Sequence, residues 1–418
     1  MGYLQPGYRP GKEDLVCEFY IEPAQGCSAA KAAESVASES SVGTWTDIAA
    51  MNPAIMKMAA RVFEMKGRLV KIAYPPELFE PGNMPQIMSS IAGNIFGMKA
   101  VKNLRLESIH WPPGIMRSFK GPKFGIPGIR KLTGVKQRPL TGTIVKPKVG
   151  LDEAGHARSA YEAWTGGIDI VKDDENLTSM SFNRFEKRVK ETLRMRDSAE
   201  KETGERKMYM PNVTAESREM LRRAKFARDS GNEYAMTDIV TCGWGGLQTL
   251  RDENEGLGLV LHAHRAGHAA FTRNPRHGVS MLVVAEAARL VGVDQIHVGT
   301  AVGKMEGKKR DVVEIGEEIE RRVVKAHGHV LAEDWGEVRP VFAVCSGGLH
   351  PALIPRLVGI LGRDIIIQAG GGVWGHPGGG AAGARAMRQA VDACMEGTDL
   401  REHAKNNKEL KAALERWK

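Results

Sequence analysis

After Pro139, short apolar runs alternate with amphipathic helical patterns through the rest of the chain. The eight runs are TGTIVKPK, GIDIVKDDE, KMYMPNVTA, EYAMTDIVT, GLVLHAHRA, QIHVGT, PVFAVCSGG and DIIIQAGGG. Eight strand-plus-helix units are the number that closes a parallel (β/α)8 TIM barrel. An open doubly wound sheet is the alternative, but no GxGxxG turn follows the first run, which argues against a dinucleotide-binding fold. The sequence therefore predicts an α/β protein built on a barrel.

The first 121 residues have a different pattern, in which strands and helices are interspersed. The predicted elements are strands at 15–22, 68–74 and 103–108 and helices at 28–38 and 84–91. This mixture indicates a small α+β domain of the ferredoxin-like type. Prolines and glycines between Pro112 and Gly128 place the domain boundary near Gly121. We expect an N-terminal α+β domain at 1–121 and a catalytic barrel domain at 122–418, which ends in a helical extension from residue 398.

Composition is that of an ordinary globular protein with an anionic partner. Lys+Arg number 59 and Asp+Glu 50, so the formal net charge is +9. No run of five basic residues occurs and aromatic residues are only 6%, so a phosphorylated small molecule is favoured over nucleic acid. The five cysteines form no CxxC pair, and neither an apolar leader segment nor 18 uninterrupted apolar residues occurs. We expect a reduced, cytoplasmic protein that does not span a membrane.

The second run passes from apolar residues into Lys172, Asp173, Asp174 and Glu175. Period-two alternation in a strand would bring Lys172 and Asp174 to one face, with Glu175 at the start of the following loop. Two carboxylates suit a hard cation such as Mg²⁺, but an ammonium group beside that cation would be repelled. Lys172 must then be neutral, or carbon dioxide must convert it to an anionic carbamate. The alternative is a strand-end salt-bridge cluster on the surface.

Two other features place lysines where they could act on a substrate. Lys146 and Lys148 flank Pro147 at the end of the first run, where alternation would put both on one face. Two close ammonium groups release protons more easily, which suits a proton donor; the alternative is a pair of solvated lysines. Lys304 lies between glycines in a loop after the sixth run, and this loop could act as a mobile lid.

Histidines concentrate at the ends of the fifth and sixth runs. His264 and His268 have the helical spacing of zinc ligands, but no HExxH motif or cysteine partner supports a zinc site. His264 and Arg265 together better suit an anionic substrate, as does His297. For His262 and His268 we expect core packing.

Glycine triplets end the last two runs, at 346–348 as SGG and at 370–372 as GGG. Glycine lets backbone N–H groups approach phosphate oxygens, and the loops after strands seven and eight are the usual phosphate site of a TIM barrel. Two anion sites flanking a metal predict a substrate with a phosphate at each end.

Together, these motifs resemble the large subunit of ribulose-1,5-bisphosphate carboxylase/oxygenase (RuBisCO). The matching segments are ESSVGTW, GNIFG, TIVKPKVG, GGIDIVKDDEN, HAHRAGHAA, IHVGTAVGKMEG, SGGLHP and QAGGGVWGHP, which span nearly the whole chain. NLRLESI, GPKFGI and FTRNPRHG are most similar to the archaeal form III enzymes. The resemblance implies carboxylation of ribulose 1,5-bisphosphate to two 3-phosphoglycerates, with CO2 and O2 as competing co-substrates.

The resemblance also implies roles for individual residues. Lys172, carbamylated by CO2, would bind Mg²⁺ with Asp174 and Glu175, and the carbamate would remove the C3 proton of the substrate. Lys146 would protonate the final carbanion. The other residues given a catalytic role by the resemblance are Lys148 (tuning Lys146), His264 (proton movement), Lys304 (stabilising the new carboxylate) and Glu39.

Substrate binding and assembly follow from the same resemblance. One phosphate site is implied at Thr44, Trp45, Gly348, Gly370 and Gly371. The other is implied at Arg265, His297 and Ser346, and Gly347 completes the substrate-binding set. Glu39 and Asn94 resemble residues that reach a neighbouring subunit's active site, so a homodimer or a higher assembly of dimers is expected. No small subunit is expected.

Some positions depart from the family pattern. Ile144 stands where many members have threonine, Val42 replaces a common threonine, and Met305 follows the lid lysine where leucine is frequent. The sequence leaves two alternatives to the carboxylase. A RuBisCO-like enolase or isomerase of methylthio-sugar phosphates usually lacks several of the carboxylase residues, whereas Lys146, His297 and Lys304 are present here. A non-catalytic nucleic-acid-binding protein would explain only the positive charge.

Overall fold

The structure is a computed structural model that describes residues 2–44, 52–302 and 309–417. The chain divides into two compact units. The N-terminal unit comprises Met1–Gly121, Gly267–Val291 and Arg321–Val338, and the barrel unit comprises Pro122–Ala266, Gly292–Glu320 and Arg339–Lys418. The two-domain boundary near Gly121 stays a prediction, because two later segments belong to the same unit as the first 121 residues.

The elements of the first 121 residues are β1 (Leu15–Pro23), α1 (Ala29–Glu39), α2 (Pro53–Lys57), β2 (Arg61–Lys66), β3 (Leu69–Tyr74), α3 (Met84–Ile91), β4 (Val101–His110) and α4 (Pro113–Arg117). Short 3₁₀ helices occupy Pro76–Leu78 and Asn94–Gly97. The Ser28 side chain caps α1 by accepting a hydrogen bond from the Lys31 N–H at 3.1 Å. Strand β2 was missed by the sequence analysis, because only Val62 of its six residues is buried.

The next elements are α5 (Gly125–Thr133), β5 (Leu140–Ile144), α6 (Glu153–Thr165), β6 (Ile170–Lys172), α7 (Phe185–Thr203), β7 (Met208–Met210), α8 (Ser217–Asp229), β8 (Tyr234–Asp238), α9 (Ile239–Leu257), β9 (Val260–His264), α10 (Ala269–Thr272), β10 (Gly278–Val279) and α11 (Met281–Val291). The last are β11 (Gln295–Gly299), α12 (Lys309–Glu320), β12 (Val323–Val324), β13 (Glu333–Asp334), β14 (Phe342–Ser346), a 3₁₀ helix (Pro351–Leu353), α13 (Ile354–Leu361), β15 (Ile365–Gln368), α14 (Gly371–Trp374), α15 (Gly379–Glu396), α16 (Leu400–His403) and α17 (Lys408–Arg416).

The N-terminal unit contains a five-stranded sheet in the order β10-β4-β1-β3-β2. Strand β1 pairs antiparallel with both β3 and β4, and β2 pairs antiparallel with β3. Strand β10, from the later segment, adds to the edge in parallel with β4. Strands β1 to β4, with helices between them in the chain, confirm the predicted α+β class of this part.

The barrel unit contains an eight-stranded sheet in the order β7-β6-β5-β15-β14-β11-β9-β8. Each of the eight apolar runs supplies one strand, and the paired strands of this sheet are parallel. The barrel closes where β7 and β8, the two ends of this strand order, meet. Pro211 interrupts this seam because it lacks an N–H group, so β7 ends at Met210. Met236 nevertheless donates to the Pro211 carbonyl and accepts from the Val213 N–H, both at 2.9 Å. These bonds close the predicted barrel.

Helix α5 packs against one end of the barrel core. Ile126 and Ile129 belong to a cluster of buried residues that includes side chains from seven of the barrel strands. Asp294 anchors the start of the helix, because its Oδ1 accepts from the N–H groups of Phe124 at 2.6 Å and Gly125 at 2.9 Å. The sequence analysis missed α5, since its glycines and proline are typical of a linker.

Replacing Ile129 with alanine should destabilise the barrel unit. Ile129 is fully buried, so the substitution leaves a cavity, and the expected loss in the free energy of unfolding is about 2–5 kcal/mol. Denaturant unfolding of the purified protein measures it. Leu132→Ala, on the same helix at a half-buried position, should cost less. Equal losses in the two variants would contradict this account of α5.

Other predictions about elements had mixed outcomes. The predicted helix at 84–91 agrees with α3, and the C-terminal extension is helical as expected. The apolar spacing of Phe182, Phe185, Val189 and Leu193 predicts a helix capped by Ser181, but this cap is wrong, because α7 begins at Phe185 after Arg184 and Phe182 is 41% exposed. All five cysteines are free. Across residues 2–44, 52–302 and 309–417, no helix has the length and apolar character needed to cross a bilayer.

Candidate active site

The three predicted metal ligands lie where β6 ends. Lys172 is the last residue of β6 and is only 1% exposed, and Asp174 is 2% exposed. The Lys172 Nζ donates to the Asp173 carbonyl at 2.8 Å and lies 3.8 Å from Glu175 Oε2. A salt-bridge cluster on the surface, the alternative interpretation, is therefore wrong for Lys172 and Asp174.

The environment of Lys172 shifts its protonation equilibrium toward the neutral amine. Burial lowers the pKa of Lys172, and the carboxylates of Glu175 and Asp174 oppose this shift without cancelling it. A neutral amine has a free lone pair, so it can attack an electrophile such as CO2. The local environment thus suits the chemistry that a carbamate requires.

Lys146 reaches the same point from the loop after β5. Its Nζ donates to Asp174 Oδ2 at 2.8 Å, and a Cβ built on Gly370 would lie 3.5 Å from its Cε. Burial by itself would raise the pKa of Asp174, but the hydrogen bonds from Lys146 and Asn176 outweigh burial and lower it. Lys146 is thus placed between a predicted metal ligand and a predicted phosphate loop.

The predicted placement of Lys146 and Lys148 on one face of a strand is wrong. Strand β5 ends at Ile144, so both lysines lie in the following loop and period-two alternation does not apply to them. Lys148 is exposed. Its tuning of Lys146 stays a prediction.

His264 forms a pair with Asp238, which the sequence analysis missed. His264 Nδ1 lies 2.6 Å from Asp238 Oδ1, and an ionised carboxylate can only accept, so Nδ1 carries the proton. The other ring nitrogen, Nε2, lies 3.6 Å from Glu175 Oε2, so the lone pair of the neutral imidazole would face the metal-ligand segment. This arrangement holds a base beside the metal-ligand segment.

His297 lies in a chain of hydrogen bonds inside the barrel. Its Nδ1 is 2.8 Å from Ser346 Oγ and its Nε2 is 3.0 Å from His262 Nε2. Burial lowers the pKa of both histidines well below the ordinary value, so the pair is neutral. His262 is fully buried as expected, whereas His268 is half-buried and its Nδ1 lies 2.7 Å from Thr272 Oγ1.

Glycines make room around the predicted anion sites. A Cβ on Gly371 would meet nothing within 4 Å, so a ligand can approach this backbone closely. A Cβ on Gly372 would instead collide with the Leu349 carbonyl, which fixes the two phosphate loops against each other. On the other side, a Cβ on Gly299 would lie 2.9 Å from a guanidinium nitrogen of Arg265. Burial lowers the pKa of Arg265 to about 10, so it remains a cation at neutral pH.

The remaining predicted residues are distributed as follows. Glu39, Thr44 and Asn94 belong to the N-terminal unit. Thr44 and Asn94 are exposed, whereas Glu39 Oε2 is buried and has no hydrogen-bond partner among the described residues. Gly347 and Gly348 both have positive φ angles, of 113° and 69°. Trp45 and Lys304 lie outside the residues that the structure describes.

Comparison with known proteins identifies the family. The family model "Ribulose bisphosphate carboxylase large chain, catalytic domain" matches residues 125–417, and the corresponding N-terminal domain model matches residues 2–115. The chain belongs to the ribulose bisphosphate carboxylase large-chain family. The predicted family and enzyme class, ribulose-bisphosphate carboxylase, are confirmed.

Relatives of the chain cover it almost completely. A ribulose bisphosphate carboxylase of Methanosarcina barkeri is 53% identical over 99% of this chain and 98% of its own length. The octameric Rubisco of Pyrococcus horikoshii is 50% identical, covers 99% of this chain and 96% of its own, and superposes with a TM-score of 0.92. The dimeric archaeal Rubisco of Hyperthermus butylicus is 48% identical, with 99% and 98% coverage and a TM-score of 0.94. The predicted archaeal form III-like character agrees with these relatives.

The sequence analysis missed three polar residues that support this site. They are Asp173, Asn212 and Asp238. Each lies at the C-terminal end of a barrel strand or within two residues of it. Because functional residues of a TIM barrel gather at these strand ends, examining the end of every run would have found them.

Proposed function

We propose that this chain catalyses the Mg²⁺-dependent carboxylation of ribulose 1,5-bisphosphate to two 3-phosphoglycerates, with O2 as a competing co-substrate. The observation that carries the proposal is the burial of the Lys172 amine, which lowers its pKa, beside Asp174 and Glu175 at the end of β6. This chemistry accounts for a lysine within a segment that is otherwise suited to a cation.

The residues at this point fit magnesium. The Lys172 amine would attack CO2, a new N–C bond would form, and one proton would leave, which gives an anionic carbamate. The carbamate, Asp174 and Glu175 then offer three anionic oxygen ligands, the donor type that Mg²⁺ prefers. Magnesium held there would polarise the substrate oxygens and stabilise negative charge that develops on them.

The other side chains would handle protons. Lys146 is an ammonium group within hydrogen-bond distance of Asp174, so it can deliver a proton to a carbanion formed beside that carboxylate. His264, oriented by Asp238, presents Nε2 to the same space and can take up a proton from a substrate hydroxyl. An acid and a base thus lie next to the two predicted carboxylate ligands, Lys146 at Asp174 and His264 at Glu175.

Two groups of residues would bind the phosphates. The open backbone at Gly371, with Gly348 and Gly370, suits one phosphate, and the Arg265 cation suits the other. His297 would contribute only after releasing Ser346 or His262, because both of its ring nitrogens are engaged. Lys304 would cover the new carboxylate.

We also propose an assembly of dimers whose active sites combine residues of two chains. Glu39 supports this, because its buried Oε2 has no hydrogen-bond partner among the described residues and a second chain could supply a donor. The Hyperthermus butylicus relative is described as dimeric and the Pyrococcus horikoshii relative as octameric.

A labelled-bicarbonate assay tests the proposed reaction. Purified protein incubated with radiolabelled bicarbonate, Mg²⁺ and ribulose 1,5-bisphosphate should form acid-stable label in 3-phosphoglycerate. Omitting the substrate or chelating Mg²⁺ should abolish the label, since both are required for carboxylation. Absence of label under anaerobic conditions, where O2 cannot compete, would contradict the proposal.

A further inference from the structure

The middle residue of the metal-ligand segment, Asp173, faces away from its neighbours. Lys172 and Asp174 contact the reaction site described above, whereas the Asp173 carboxylate lies among α6, α7 and β7 and is 0% exposed. A buried charge at this position is costly unless it is fully compensated by partners. The partners of the Asp173 carboxylate therefore indicate what this buried charge does.

Four residues surround the two oxygens of Asp173. Tyr209 donates its hydroxyl to Oδ1 at 2.7 Å, and His156 Nε2 lies 3.1 Å from the same oxygen. Arg188 donates from Nε at 3.1 Å and forms an ion pair through a terminal nitrogen at 3.0 Å, both to Oδ2. The Asn212 N–H donates to Oδ2 at 2.9 Å. Helix, strand and loop are thus tied to one carboxylate.

Asn212 passes this anchoring on to the predicted metal ligands. Its Nδ2 donates to the backbone carbonyl of Glu175 at 3.0 Å and to that of Asp174 at 3.4 Å. Its Oδ1 accepts from the Thr214 N–H and hydroxyl, so the amide orientation is determined. The backbone of the two carboxylate ligands is therefore held by a residue that Asp173 itself holds.

We propose that Asp173 is a positioning residue that sets the geometry of Lys172, Asp174 and Glu175 for the divalent cation. Because metal sites need ligands fixed within small tolerances, removing this support should weaken binding of the cation more than it weakens the fold. The inference rests on the proposed function, since it takes these three residues as the ligands.

The test compares two aspartates that flank the same strand. Asp173→Asn keeps the shape of the side chain but removes its charge. Asp169→Asn is the matched control, because Asp169 is equally buried just before β6 and accepts two hydrogen bonds from Arg138 at 2.6 and 2.7 Å. Mn²⁺ titration of the full chain at saturating bicarbonate, with free Mn²⁺ counted by electron paramagnetic resonance, gives the dissociation constant of each protein. Thermal unfolding gives their stability.

We expect Asp173→Asn to weaken Mn²⁺ binding by about 10- to 100-fold. Asp169→Asn should lower the melting temperature yet leave Mn²⁺ affinity within about twofold of the wild type, because it lies at the other end of the strand. If Asp173→Asn does not fold, Tyr209→Phe decides the question. It removes one donor to Asp173 and keeps the ring, and should weaken Mn²⁺ binding by a smaller factor.

Each failure has a distinct meaning. Wild-type protein that binds no Mn²⁺ at saturating bicarbonate would overturn the proposed metal site itself. Wild-type binding with unchanged affinity in folded Asp173→Asn, or in Tyr209→Phe where that variant decides, would overturn only the positioning role. An equal loss in Asp169→Asn would also overturn it, because general destabilisation would then suffice.

Discussion

Lys172→Ala should abolish carboxylation, with turnover reduced on the order of 10³-fold or more, because the site loses both an anionic ligand and the charge stabilisation that a bound cation supplies. The variant should also lose retention of radiolabelled CO2, since no amine remains at this position. Turnover with ribulose 1,5-bisphosphate and CO2 retention after rapid gel filtration measure the two effects.

The control for this variant is another buried lysine of the same unit. Lys207, before β7, is 0% exposed, and its Nζ donates to the Ile168 carbonyl at 3.2 Å and to Glu205 at 2.8 Å. Lys207→Ala should reduce stability while CO2 retention persists. Turnover in Lys172→Ala equal to that of the wild type would refute the assignment of Lys172.

Lys146→Met should lower the turnover number by about 10²- to 10⁴-fold, the usual contribution of a positioned proton donor. Methionine preserves the length of the side chain but carries no proton, so the loss reports the ammonium group. Retention of CO2 should persist, because Lys172 is unchanged. Affinity for the cation should stay the same or increase, since a competing positive charge leaves Asp174. Steady-state kinetics and Mn²⁺ titration separate the two effects.

Lys225→Met provides the comparison. Lys225 pairs with Asp229 at 2.6 Å on the exposed face of helix α8, so the same substitution breaks a Lys–Asp pair away from the site. Its turnover should match that of the wild type. Loss of CO2 retention in Lys146→Met would show that Lys146 supports activation of the site, and would argue against a role confined to protonation.

Much of the barrel could be predicted from local pattern. Eight apolar runs became eight strands because continuous apolar stretches of this length suit a parallel sheet buried on both faces. The grouping of Lys172, Asp174 and Glu175 followed from period-two alternation at the end of the second run. Helix α5 escaped this reasoning, because its burial depends on contacts with strands far along the chain.

The partners within the site could not be predicted in the same way. The pairing of His264 with Asp238 depends on two neighbouring strands having matched register, which no local pattern encodes. The engagement of His297 by both His262 and Ser346 likewise joins three strands. The end of β5 at Ile144 was misjudged, because the apolar residues continue to Val145, one residue beyond the strand.

The irregular seam between β7 and β8 connects binding of the cation to the thermal stability of the barrel. The backbone of Met236 closes the seam, and its sulfur lies 3.4 Å from Lys172 Nζ. Asn212, also within the seam, donates to the backbone carbonyls of Asp174 and Glu175. A cation that binds only the closed arrangement adds its binding free energy to the cost of opening the barrel. The loaded protein would then outlast the empty one at high temperature, and the seam would be where that difference arises.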